Sequence, residues 1–171
     1  ADAAADADNG ATGGMTMIGF HGVDPASLPD TVAIVGSRDF PDLAAVRAFV
    51  RLLRPDTTVI SGGARGVDQA AEAAARSRGL RTVIFAPQRA IIERAGFAAA
   101  AKARNRQIVL AAKQGHGVVV AFSLDPVTRG TGHTIRECQR LGVPCILFRV
   151  TAEGTWLVES YEERLGQLTD G

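Results

Sequence analysis

Several features that would announce a function are scarce or missing from this chain. Cys138 and Cys145 are its only cysteines and form no CxxC pair. A thiol redox centre or zinc knuckle therefore has no basis, and two buried thiols in a reducing compartment is the expectation. The three histidines, His21, His116 and His133, lack metal-ligand spacing, so no metal site is expected. No Ser–His–Asp or Cys–His arrangement can be assembled, and no cofactor is expected either. Aromatic residues make up only 5%. The single Trp156 and Tyr161 fall in a C-terminal helical pattern, as packing or interface residues and not as base-stacking platforms. No apolar run approaches the roughly 20 residues that span a bilayer. No basic stretch followed by an apolar core opens the chain. The expectation is a soluble, cytoplasmic protein with no membrane partner.

Strong charge is absent too. Formal net charge is +1, and Asp2, Asp6 and Asp8 lie in the first sixteen residues, which hold no basic residue, leaving the remainder at +4. A duplex-DNA binder carries a stronger basic bias, so this balance favours a small anion while leaving single-stranded nucleic acid open. Residues 1–14 contain no large side chain apart from aspartate and asparagine and are expected to form a mobile tail. Residues 15–30 carry Met17, Ile18, Phe20, Val23 and Leu28 among turn formers. They read as an arm packed on the domain or on a second copy, so a homo-oligomer is expected.

What is present is an alternation of short β-branched runs with helical patterns over residues 31–171. Strands are expected near 31–36, 57–61, 81–86, 117–122 and 144–150, and helices near 42–53, 67–78, 97–114, 132–141 and 155–168. Asp39 or Phe40 is the expected cap of the first helix, with Pro41 in its first turn. Leu157, Tyr161, Leu165 and Leu168 form the stripe of the last one. Continuous apolar strands separated by helices imply an α/β, Rossmann-like, doubly wound and mostly parallel sheet of about five or more strands flanked by helices. Such sheets bind ligands at the carboxyl ends of their strands.

Three small-residue loops fall at those ends: Gly36-Ser37-Arg38, Ser61-Gly62-Gly63-Ala64-Arg65-Gly66-Val67-Asp68, and Arg129-Gly130-Thr131-Gly132-His133-Thr134. A strand running through a glycine turn into a helix exposes backbone N–H groups at the positive end of the helix dipole, which suits phosphate. Gly36, Gly62, Gly63, Gly66 and Gly130 let the backbone approach a ligand. Arg38, Arg65 and Arg129 supply positive charge, and Ser37, Ser61, Thr131 and Thr134 supply hydroxyls. Each has a structural alternative: Arg38 can pair with Asp39 or Asp42, Ser37 and Thr131 can cap turns, and Asp68 can bond either a ribose hydroxyl or the loop's own amides.

These blocks, with Pro87, Arg104-Asn105-Arg106 and Leu141-Gly-Val-Pro144 in the same order, resemble the Smf/DprA–LOG (SLOG) superfamily, especially its small single-domain YspA-like branch. The resemblance covers residues 31–150. It implies binding of a nucleotide, a nucleotide derivative or single-stranded DNA, and it adds Arg104 and Asn105, read as opening a helix, to the ligand-facing set. The phosphoribohydrolase branch carries a catalytic glutamate where Thr134 stands here. The resemblance thus favours nucleotide sensing over catalysis. The alternatives are a nucleotide N-glycosidase using Glu93, Glu137 or His133, and single-stranded DNA binding.

Overall fold

The computed structural model describes residues 20–161. Six strands, β1 (Thr31–Gly36), β2 (Thr58–Ser61), β3 (Arg81–Ile84), β4 (Val118–Leu124), β5 (Cys145–Val150) and β6 (Trp156–Ser160), form one sheet in the order β3-β2-β1-β4-β5-β6. The first five pair in parallel and β6 pairs antiparallel to β5. Five helices cover it: α1 (Leu43–Arg51), α2 (Val67–Ser77), α3 (Arg89–Ala95), α4 (Phe97–Gln114) and α5 (Arg129–Leu141). The fold is the expected Rossmann-like α/β architecture.

Strand periodicity sorts the core into two layers. Val32, Ile34, Val118, Val120, Phe122 and Phe148 face α1 and α2, where Phe49 and Val67 meet them. Ala33, Val35, Val119, Ala121 and Leu147 face α4 and α5, where Ile108, Val109, Ile135 and Cys138 pack. Chain order reverses between β1 and β4, so their carboxyl ends form the switch point at which an open sheet leaves a crevice.

Several boundaries differ from the sequence reading. The cap of α1 is Asp42, whose carboxylate accepts from the Ala45 amide at 3.0 Å. Pro41 therefore precedes the cap, and Phe40 is buried edge-on against Phe122 and Trp156. Helix α5 begins at Arg129 and not at 132, because Thr128 takes extended cap geometry and both Gly130 and Gly132 are tolerated in the first turn. Exposed α3 was not anticipated.

The largest correction concerns 155–168. Residues 156–160 form a strand, not a helix, Tyr161 follows it outside any helix, and residues 162–168 lie outside the described residues. A tight turn at 151–155, closed by Thr151 N–H to the Thr155 carbonyl at 2.9 Å, folds the chain back on β5. Trp156 and Val158 alternate toward the aromatic core, while Leu157 is exposed. The period-two pattern overrode the wider leucine stripe.

Within the arm, Phe20 packs edge-on against Phe49 and Phe148, and Leu28 is buried, so residues 20–30 lie on their own domain. The tail and residues 15–19 lie outside the described residues. Cys138 and Cys145 are both buried and free. Among the described residues no helix is long and apolar enough to cross a membrane.

Candidate nucleotide-binding crevice

Strand β1 leads into the first wall of the crevice. Gly36 packs so closely that a Cβ there would lie 2.2 Å from the Phe122 carbonyl oxygen and 2.7 Å from Val67 Cγ2. Ser37 follows, buried, with its hydroxyl 3.2 Å from that of Ser123 and 2.8 Å from that of Thr128. The Thr128 hydroxyl continues to that of Thr131 at 3.1 Å, and Ser123 accepts from the Thr128 amide at 3.3 Å. This chain of hydroxyls ties the loop after β1 to the loop after β4.

Because the Thr128 hydroxyl is engaged there, α5 has no side-chain cap. The first three amides of any α-helix find no intrahelical acceptor, and here they belong to Arg129, Gly130 and Thr131. At Gly130 an added Cβ would meet nothing within 4 Å. Gly130 therefore opens the crevice where Gly36 is filled by packing.

The loop between β2 and α2 is organised differently from the sequence expectation. The Asp68 carboxylate accepts from the Gly62 amide at 3.1 Å and the Ala64 amide at 3.4 Å through the same oxygen, Oδ2. The loop thus cradles an anion of its own, and those two amides are already engaged. Arg104 donates through Nη1 to the Gly62 carbonyl. A Cβ on Gly62 would lie 2.7 Å from Arg104 Nη1 and 2.8 Å from Asp68 Oδ2, so a larger residue there would displace one of these two side-chain ends. Gly66 holds φ +84° and would press a Cβ to 2.5 Å from the Arg38 carbonyl oxygen, interlocking the two loops. Ser61 is fully buried and donates to Glu72 Oε1 at 2.8 Å.

Burial drives the Asp68 carboxyl up to about 6, against the pull of Arg104 and the two amides. Burial lowers the Arg104 guanidinium from its usual value; Asp68 opposes that shift and Arg38 adds to it. The two arginines therefore sense one another across the same space.

That space is a cavity of about 340 Å³. Its walls include Gly36, Ser37, Arg38, Asp68, Arg104, Asn105, Gly130, Thr131 and Thr134 from the sequence set, drawn from four separate stretches of chain. Ser61, Gly62, Gly63, Arg65, Gly66 and Arg129 are not on the walls. Arg104 and Asn105 lie in mid-α4 and do not open it. Thr134 is buried and donates to the Gly130 carbonyl at 3.3 Å. Glu137 lies off the walls, beside Arg140 at 2.5 Å and His133 at 3.8 Å. Glu93 is exposed and pairs with Arg89.

Phe97, 53% exposed, and Thr128 line the crevice without having been singled out. For Thr128 the signal was available, since it immediately precedes the third loop. For Phe97 an aromatic at the start of an alanine-rich helix gives no warning that its ring stays outside the core.

The family model described as DNA recombination-mediator protein A matches residues 20–110. The chain belongs to this family. The match runs from the arm through β1, the Ser61–Asp68 loop and the Arg104–Asn105 pair, and stops before β4. Among solved structures, DNA processing protein A of Streptococcus pneumoniae is similar at 20% identity and a TM-score of 0.45, over 67% of this chain and 58% of that one. The chain therefore spans little more than half the length of that protein. No curated protein matches it. Membership of the DNA recombination-mediator protein A family agrees with the SLOG resemblance of the loops.

Proposed function

We propose that the crevice binds one nucleotide unit, as a free nucleotide or nucleotide-derived ligand, and that the protein senses this ligand. One observation carries the reading: a cavity of about 340 Å³ at the β1/β4 switch point has two guanidiniums, Arg38 and Arg104, and an uncapped helix N-terminus on its walls. The volume lies at the small end of the roughly 300–1,000 Å³ typical of small-ligand sites. The Gly130 and Thr131 amides and Arg38 form an anion-binding edge suited to a phosphate. The Phe97 ring offers a base an apolar face at the same cavity. Thr134, hydrogen-bonded into its own helix, supplies no carboxylate for N-glycosidic hydrolysis, which supports binding over catalysis.

A second reading is favoured by the family match: the nucleotide unit belongs to single-stranded DNA. Thermal unfolding with mono-, di- and triphosphates, dinucleotides, ADP-ribose, cyclic nucleotides and oligodeoxythymidines of rising length separates the two. A mononucleotide site gives a shift that is insensitive to length and only weakly dependent on salt. A DNA site gives affinity that grows with length and falls steeply with salt. No shift with any compound overturns both.

A further inference from the structure

On the crevice wall, Asn105 links Arg104 to His133, a side chain that does not line the cavity. An arginine Nε can only donate, so the atom facing it at 3.0 Å must be the Asn105 amide oxygen. That orientation turns the amide NH2 toward α5. There it lies 3.5 Å from the Gly130 carbonyl oxygen and 3.3 Å from His133 Nδ1. An NH2 group has no lone pair to offer, so Nδ1 must accept. The neutral ring then carries its hydrogen on Nε2, which faces Glu137 Oε1 at 3.8 Å. One tautomer and one amide orientation satisfy the Arg104–Asn105 and Asn105–His133 contacts together, with Nε2–H facing the Glu137 carboxylate.

Building on the nucleotide-binding reading, we propose that His133 is a positioning residue for the crevice. As a neutral Nε2–H imidazole it holds the Asn105 amide in the orientation that presents Arg104 to the ligand, and a second proton on the ring releases it.

A protonated ring would aim an Nδ1–H at the Asn105 NH2. Either the amide turns over, setting its NH2 against Arg104 Nε–H, or the ring swings away and α5 loses its hold on Asn105. In both cases the acceptor that fixes Arg104 is lost or loosened. Asn105 is 8% exposed, so little solvent is at hand to replace the partner. Burial lowers the His133 value below 6.5. Glu137 on α5 opposes that shift, while Arg136 and Arg140 on α5 and Lys102 on α4 reinforce it. The neutral tautomer therefore prevails near neutral pH, and release belongs to the acidic side.

The test begins without ligand. Nitrogen-15 spectra of the His133 ring near neutral pH should show a pyridine-type Nδ1 and a pyrrole-type Nε2, together with a protected Arg104 Nε–H signal. That signal should weaken as the pH is lowered below 6.5 and the ring takes its second proton. In His133→Asn the side-chain oxygen takes the place of Nδ1 and cannot titrate, so the Arg104 signal should persist over the same range. The Asp68 carboxyl also faces Arg104 and titrates nearby, but it is common to both proteins, so the difference between them reports the ring. With 2′-deoxyadenosine 5′-monophosphate as the probe, His133→Ala should bind about three- to tenfold more weakly, the effect of one neutral hydrogen bond. His133→Asn should restore the loss. An Nδ1–H tautomer, identical pH dependence in wild type and His133→Asn, or unchanged probe affinity in His133→Ala overturns the proposal. If the spectra follow expectation while the probe binds none of the three proteins, the nucleotide reading fails and the tautomer-locked hold on Arg104 stands.

Discussion

Arg38 is exposed and, among the described residues, pairs with neither Asp39 nor Asp42, the surface partners its sequence context offered. A free guanidinium on a crevice wall contributes little to folding. Arg38→Ala should therefore leave unfolding within about 0.5 kcal/mol of wild type. The same change should weaken a phosphate-bearing ligand by on the order of 1.5–3 kcal/mol, read by titration calorimetry. Asp68 behaves oppositely. Its folded value, about 6, lies above the ordinary 3.8, so the stability linked to its proton is fully present below 3.8 and is lost as pH rises through about 6. That loss is roughly 3 kcal/mol at most, from about 1.4 kcal/mol per unit. Asp68→Asn keeps an oxygen for the Gly62 and Ala64 amides, since both bonds run to Oδ2. Denaturant unfolding of this variant should lose the decline in stability between about pH 4 and 6. It should also bind an anionic ligand more tightly near neutral pH, one negative charge having left the wall.

At the scale of elements, β6 provides the clearest test. Trp156→Ala should cost roughly 3 kcal/mol, the low end for aromatic truncation because the ring is only partly covered, whereas exposed Leu157→Ala should cost well under 1 kcal/mol. A helix with the leucine stripe inward would reverse that order. This is also where the sequence was hardest to read. β1, β2, β4 and β5 are β-branched runs bounded by turn residues, and α4 matches its expected span, because those signals are local. For 155–168 two periods compete, and the core that selects between them is assembled from β4, β5 and the arm. The crevice divides in the same way. Gly36–Arg38 could be found as the loop after β1, and Gly130–Thr134 as a small-residue segment after β4, although it proves to be the first turns of α5. That Asp68 would turn back and occupy its own loop depends on Arg104, from a helix 36 positions further along, meeting Gly62.

For the whole molecule, a ligand that binds only the folded state adds about 2.7 kcal/mol at a hundred times its Kd. In a chain of this length each kcal/mol moves the midpoint by roughly 2–4 °C, so a saturating nucleotide should raise Tm by about 5–10 °C. The effect should shrink in Arg38→Ala. A net charge of only +1 gives little long-range pull on a polyanion, so a steep salt dependence would have to arise from arginines lining the strand's path.

The close fit of Gly66 beneath the Arg38 main chain couples the β2–α2 loop to the crevice wall even though its Gly62 and Ala64 amides face Asp68. Two segments that cannot separate without breaking that fit must open together, so whatever clamps one raises the opening free energy of the other. Hydrogen–deuterium exchange at Gly62 and Ala64 should slow on ligand addition although neither amide touches the ligand. In Gly66→Ala, where the fit is broken, that remote protection should disappear before binding itself does.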